Sequence, residues 1–309
     1  MTQEKKLNNT EAKKPGDNWI KQLAESDQPL HLHLTNDFAF KIVFQNKTAL
    51  KGLVGTFLSI PPEDIVDIDL TDSYLHGEYP NDHEGILDLK LYLNSGIKMN
   101  IEMQLEKFPC WEERSLFYLS KMFVENFAKG AKYERLEQCV HISILDFDLY
   151  ENPPFYSTIV LKCEENNRIY SDKLRLHVLE LTQLKNVDPE DQKTDIYRWA
   201  QMITADDWEV LRKMAQNNKY MEAAKEELEK INADKAKRYE YLIAEKKASD
   251  DASLRDYLEK EGMQKGMIKG EQKLAQLNNA LIEANRIADL SKASNDTTYR
   301  QKLYEEFGI

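Results

Sequence analysis

From Gly85 to Leu105 the chain reads GILDLKLYLNSGIKMNIEMQL, and the strict alternation on both sides of Asn-Ser-Gly constrains the fold more than any other segment. Leu87, Leu89, Leu91 and Leu93 alternate with Ile86, Asp88, Lys90 and Tyr92, and Ile97, Met99, Ile101, Met103 and Leu105 alternate with Lys98, Asn100, Glu102 and Gln104. A period of two belongs to strands, so the segment predicts a β-hairpin. A three-residue loop, Asn94-Ser95-Gly96, with glycine at the left-handed position, pairs Leu93 with Ile97 and therefore Asp88 with Glu102. This register gathers the apolar side chains on one face and sets Asp88, Lys90, Glu102 and Gln104 on the other, whereas a one-residue slip mixes the faces. Directly opposed carboxylates lie about 4.5–5.5 Å apart at Cβ and repel unless a cation sits between them. Oxygen-only donors of this kind suit Mg²⁺ or Mn²⁺. The hairpin alone leaves two readings open: a metal site, or a solvated strand face on which two acids meet.

The remainder of the first half supplies helices and further strands around this hairpin. Thr35 or Asn36 caps a helix running to about Asn46, with Asp37 and Lys41 on one face at i, i+4, and Ala49 to Leu58 forms a second helix before Pro61-Pro62. Ile65 to Tyr74 reads as a strand. Trp111 to Lys129 reads as a long helix ended by Gly130, with Leu116, Leu119, Phe123 and Phe127 expected on the sheet and Arg114, Tyr118, Lys121 and Glu125 on another stripe. Val140 to Phe147, Tyr156 to Cys163 and Leu174 to Leu181 are later strands. The order predicts an α/β sandwich with a mixed sheet.

After Pro189 the strands stop. Ile196 to Met214 and Tyr220 to Lys247 read as helices with Trp199 and Trp208 in a core, and beyond Ser249 the chain is rich in Glu, Lys, Gln and Ala, interrupted by Gly262, Gly266 and Gly270. In a polar helix this glycine ladder is either a close contact between subunits or a weakened helix.

Composition narrows the function classes. A hydrophobic content of 41% over 309 residues is enough for one substantial domain and a second region. The net charge of −12 runs against the basic surface usual in proteins that hold nucleic acid, although steering depends on the local field. Cys110, Cys139 and Cys163 are odd in number and lack CxxC spacing, which points to reduced thiols in a cytoplasmic protein. The opening MTQEKKLNNTEAKKPGDNW has no apolar core, so no signal peptide is expected, and no apolar run approaches a membrane span. No P-loop, GxGxxG or GxSxG occurs, which leaves nucleotide hydrolysis, dinucleotide redox chemistry and serine esterase chemistry without a foothold.

Asp88, followed after the turn by Glu102-Met103-Gln104, resembles the PD-(D/E)XK nuclease signature, with Gln104 where lysine is usual. Thr35-Asn36-Asp37-Phe38-Ala39-Phe40-Lys41-Ile42-Val43-Phe44 and the "IExQ" element Ile101 to Gln104 are similar to motifs of the bacterial PD-(D/E)XK family transposases, also called recombination-promoting nucleases. Arg114, Tyr118, Gly130, Tyr133 and the strand from Val140 follow in the family's order, and the ending Lys302 to Ile309 resembles it too. The pattern departs at His83-Glu84-Gly85-Ile86-Leu87, where a basic residue is expected before the aspartate.

The resemblance implies a restriction-endonuclease-like core at 34–185; residues 1–33, polar, lysine-rich and broken by Pro15-Gly16, read as a flexible arm, and 186–309 as a helical region. It implies Mg²⁺ as cofactor, with Mn²⁺ able to substitute, held by Asp88, Glu102 and the Met103 carbonyl. Asp88, Glu102, Gln104 and Asp37 are the implied catalytic residues, and Lys41, Arg114 and Tyr118 the implied substrate contacts. DNA is the implied partner; the sequence pattern itself leads to no membrane and allows a homo-oligomer through the C-terminal helices. Three alternatives stay open: Asp37 as an exposed ion pair with Lys41, Arg114 and Tyr118 as a surface guanidinium and a half-buried ring, and the whole chain as a noncatalytic interaction module that keeps the fold.

Overall fold

Asparagine side chains set where several helices begin. Asn36 accepts from the Ala39 N–H at 3.0 Å, Asn46 from the Thr48 N–H at 2.9 Å and Asn218 from the Tyr220 N–H at 3.0 Å. Each satisfies a first-turn donor that has no partner inside its own helix. The computed structural model describes residues 18–75, 85–93 and 96–309. Three helices come first: α1 (Asn18–Glu25), α2 (Asp37–Val43) and α3 (Lys47–Leu58). The strands follow as β1 (Ile68–Leu70), β2 (Tyr74–Leu75), β3 (Gly85–Ile86), β4 (Leu89–Leu93) and β5 (Ile97–Gln104). Helix α4 (Trp111–Val124) leads to β6 (Gln138–Leu145), β7 (Tyr156–Lys162) and β8 (Ile169–Glu180). The rest is helical: α5 (Asp195–Ile203), α6 (Trp208–Ala215), α7 (Lys219–Ala233), α8 (Lys235–Glu283), α9 (Ile287–Asn295) and α10 (Thr297–Phe307).

The main sheet has six strands in the order β1-β4-β5-β6-β8-β7, with β5, β6 and β8 parallel and the outer pairs antiparallel, giving the mixed α/β architecture expected. The hairpin register is the expected one: Leu93 pairs with Ile97 and Leu89 with Ile101, and Gly96 has φ +82°. Asn94 and Ser95 of its loop, and the departure at His83-Glu84, lie outside the described residues.

Two expectations about faces fail. The strand from Gly85 is broken at Leu87-Asp88, because the Leu87 N–H donates to the Ser73 carbonyl at 2.9 Å while β4 pairs with β1. Leu87 consequently packs with Tyr118, Leu119 and Met122 of α4, whereas Leu89, Leu91 and Leu93 enter the main core on the other face. Helix α4 is also turned relative to its expected apolar stripe and ends at Val124, short of Gly130. Trp111, Ser115, Tyr118, Leu119 and Met122 are buried, and Leu116 is 52% exposed. The cause lies beneath it: the β5–β6 face under α4 carries Asn100, Glu102, His141 and Ser143, so the helix meets it with its mixed stripe rather than with Leu116. Phe127 lies beyond the helix and stacks on Tyr133.

The expected boundaries at 33/34 and 185/186 are not those of the structure. One compact unit runs to Ala244 and a second spans Glu245–Ile309. Ile20, Leu30 and Leu32 are buried in the same core as the sheet, as are Trp199, Leu211, Met221, Leu228 and Ile231, so residues 18–33 are no arm and α5 to α7 are no separate region. Arg238 fastens the early segment by donating to the Leu23 and Gln28 carbonyls at 2.9 and 2.8 Å. In the second unit Leu277, Leu281, Ala293 and Leu303 form a small cluster. Helix α8 runs unbroken through Gly262, Gly266 and Gly270, and a Cβ at any of the three would meet nothing within 4 Å. No described helix is long and apolar enough to cross a membrane, and all three cysteines are free.

Gly52 is where α3 approaches its neighbours too closely for a side chain. A Cβ there would lie 2.3 Å from Tyr220 Cβ and 3.1 Å from Trp199 Cζ2, and the first is a side-chain root that cannot swing away. Gly52→Ala gains about 1 kcal/mol of helix propensity, but overpacking of this kind costs about 1–3 kcal/mol. A net loss of stability is expected in urea unfolding, and a variant more stable than wild type would contradict this packing.

Candidate metal centre

The break at Asp88 and the continuity of β5 bring two carboxylates to one point. Asp88 Oδ2 accepts from the Met103 N–H at 3.0 Å, and Glu102 Oε1 accepts from the Asp88 N–H at 3.2 Å. Each acid therefore grips the other's strand, continuing the hairpin register one step past the last ladder pair. The expected solvated alternative fails here: Glu102 is 3% exposed, roofed by α4 and flanked on the sheet by Asn100 and Ser143.

Cations complete the pair. Arg114 Nη2 lies 3.7 Å from Glu102 Oε2, within ion-pair range but longer than a hydrogen bond. The guanidinium is caged: its Nε donates to the Tyr118 hydroxyl at 3.2 Å, and the Phe108, Trp111 and Tyr118 rings lie 4.9, 5.5 and 5.3 Å away. Arg114 is thus no free surface guanidinium, and Tyr118 is buried. On the other side Lys41 Nζ sits 3.3 Å from Asp88 Oδ1 and 2.7 Å from Asp37 Oδ1. Asp37 does form the ion pair with Lys41 that sequence spacing allows, and it meets the site through that lysine. Gln104 follows Glu102 on the same strand, but its amide nitrogen donates to the Glu106 carbonyl at 3.2 Å. The Met103 N–H is committed to Asp88.

A buried polar floor lies beside Glu102. His141 Nδ1 contacts Asn100 Oδ1 at 2.9 Å and its Nε2 contacts Ser143 Oγ at 3.0 Å. Burial first, and then the Arg114 charge, push His141 down to about 3, so the ring is neutral. Neither this trio nor the aromatic cage had been singled out from sequence. The signal was present in β6, where His141 and Ser143 alternate with Val140, Ile142 and Ile144, placing two polar side chains on the Glu102 face. A cleft of about 620 Å³ further along the hairpin, lined by Lys90, Tyr92, Lys98 and Glu125 among others, does not include either acid.

Burial first, and then the Asp88 charge, push the Glu102 carboxyl up to about 8, against the pull of Arg114, the Asp88 N–H and Lys41. Burial likewise raises Asp88, opposed by the Met103 N–H and Lys41. A divalent cation between the two acids would take the place of the bound proton and favour their ionised forms, and a pair of carboxylates completed by water and substrate phosphate is the donor set Mg²⁺ accepts. Among the described residues no group of three or more His, Cys, Asp or Glu gathers as a metal cage. The residues fit an ion that two acids, with a main-chain carbonyl and non-protein oxygens, would hold.

A pH dependence follows for metal-free protein. Glu102 ionises near 4.5 when unfolded and about 8 when folded, so across that window the native state binds more protons than the unfolded one. Stability then falls as pH rises, by up to about 1.4 kcal/mol per unit, with the transition belonging to the coupled acid pair. In urea titrations at pH 5 to 8 the slope is expected to flatten in Glu102→Gln. An equal slope in both proteins would rule out Glu102 as its source.

Residues 34–257 match the family model described as PD-(D/E)XK nuclease family transposase. No curated protein and no solved structure matches the chain.

Proposed function

Because the chain belongs to the PD-(D/E)XK nuclease family transposases, we propose that it is a Mg²⁺-dependent DNA endonuclease hydrolysing phosphodiester bonds. The observation that carries the reading is the clasp between Asp88, half-buried, and Glu102, buried: Glu102 accepts from the Asp88 N–H, and Asp88 accepts from the N–H of Met103 beside Glu102. Bound there, the ion lowers the pKa of a water and neutralises charge on the phosphate oxygens. Asp88, Glu102 and the Met103 carbonyl would hold it, and Mn²⁺ would substitute. Arg114, fixed by Tyr118 and the rings around it, keeps Glu102 oriented. Gln104, with its nitrogen engaged, offers its side-chain oxygen to orient the attacking water. Lys41, whose side chain is 38% exposed, would meet the substrate, and Asp37 would hold it there. The protein is taken as cytoplasmic, and α8 to α10 as the part through which copies associate.

Nicking of supercoiled plasmid by purified full-length chain in Mg²⁺ or Mn²⁺, absent in chelator, is the expected result. Intact plasmid under every divalent metal would favour the noncatalytic module instead.

A further inference from the structure

Each carboxylate oxygen of the Asp88–Glu102 pair already has a partner, and the partners differ in how readily they can leave. Two are backbone N–H groups, of Met103 and Asp88, whose positions are set by the path of the main chain. The third, Arg114, is locked by a hydroxyl and three aromatic rings. The fourth is Lys41, at the end of a flexible stem, 38% exposed, and nearer to Asp37 (2.7 Å) than to Asp88 (3.3 Å). Of the four, this one is neither main chain nor caged, so it can move by side-chain rotation alone.

Resting on the nuclease reading, we infer that Lys41 is a tethered counter-ion: it occupies the Asp88 oxygen in the metal-free chain, yields it to the divalent ion, and then supplies the positive charge beside the scissile phosphate. A divalent cation bonds a carboxylate oxygen at about 2.0–2.1 Å, well inside the 3.3 Å of the lysine contact, and it repels the ammonium. Asp37 is then the acid left to Lys41 among the partners it has here, so the ammonium stays within reach of the site instead of swinging into solvent. Lysine suits this task because its charge is compact and its stem flexible, whereas the caged guanidinium of Arg114 is neither. Gln104 carries no charge and its nitrogen is spent on Glu106, so it does not replace the cation. The assignment makes Asp37 a positioning residue whose role is to hold Lys41.

The inference is tested on the full chain by following free Mn²⁺ by electron paramagnetic resonance, alongside plasmid nicking. Lys41→Met, which keeps most of the stem, is expected to bind Mn²⁺ about tenfold more tightly, about 1.4 kcal/mol, because its competitor is gone. Nicking is expected to fall by about 10²-fold or more, with partial recovery in Lys41→Arg. Damage to the fold moves both quantities down together, and melting by circular dichroism separates that case. Unchanged or weaker Mn²⁺ binding in folded Lys41→Met overturns the counter-ion role, and full nicking by that variant overturns the role at the phosphate. Absence of Mn²⁺ binding in wild type is a different failure: it removes the metal reading itself, before any variant is compared.

Discussion

Asp88→Ala is expected to abolish cleavage and metal-induced stabilisation together. On the proposed reading the aspartate is an ion ligand as well as the acceptor of the Met103 N–H at 3.0 Å, so its removal would delete a charge and free one side of the clasp. A ligand that binds only the native state stabilises it by about 2.7 kcal/mol when present at 100 times its dissociation constant. Wild type should therefore melt at a higher temperature in saturating Mn²⁺, and Asp88→Ala should not respond. Loss of more than about 10³ in rate corresponds to about 4 kcal/mol of barrier. Gln104→Ala should behave differently: it retains the Mn²⁺ shift, because both charged ligands remain, and it loses about 10²–10³ in nicking rate, the usual cost of one catalytic hydrogen bond. If Asp88→Ala nicks DNA at the wild-type rate, a contaminating nuclease is the source. A full Mn²⁺ shift in that variant would remove Asp88 from the ligand set.

A chain ending at residue 188 is expected not to fold, while one ending near residue 247 keeps the sheet and its site. The shorter form loses Leu211, Met221, Leu228 and Ile231, all fully buried against the core that also holds β4 and β5. Complete burial of such side chains contributes about 1.5–3 kcal/mol each, and four of them approach the 5–15 kcal/mol by which a domain is stable at all. Asn36 also loses its contact with the Tyr241 carbonyl, which steadies the cap of the helix bearing Asp37 and Lys41. Cooperative melting by circular dichroism in the longer form, and none in the shorter, is the expected pair of results. A cooperative transition in the shorter form would make α5 to α7 dispensable after all.

Local periodicity made the hairpin legible, because one register alone sorts its side chains by face, and that register was enough to bring Asp88 to Glu102. Periodicity failed wherever the partner surface decides. The orientation of α4 depends on the polar β5–β6 face below it, and no helical count contains that information: Leu116 is outside while Ser115 and Tyr118 are inside. The domain boundary failed for a related reason. The end of the strands at Pro189 is a change of secondary structure, not of core, and Gly52 against Tyr220 shows how tightly α3 and α7 are joined across the sequence. Residues 18–33 look polar by composition, yet Ile20, Leu30 and Leu32 are spaced to enter the core one at a time. Gln104 is the reverse case, a position legible from sequence whose amide the structure finds turned to the Glu106 carbonyl.

The two-way clasp also says something about kinetics. Both acids are held by main-chain donors internal to the hairpin, so their placement does not wait for an ion to organise it. Stripping with chelator should leave the scaffold standing, and on the counter-ion reading reloading would need one ammonium to step aside rather than a segment to refold. Metal exchange in such a centre belongs to the time range of side-chain rotation and ion dehydration, far from that of folding. On the proposed reading, such a site would stand idle in low metal and answer a rise in its concentration without delay.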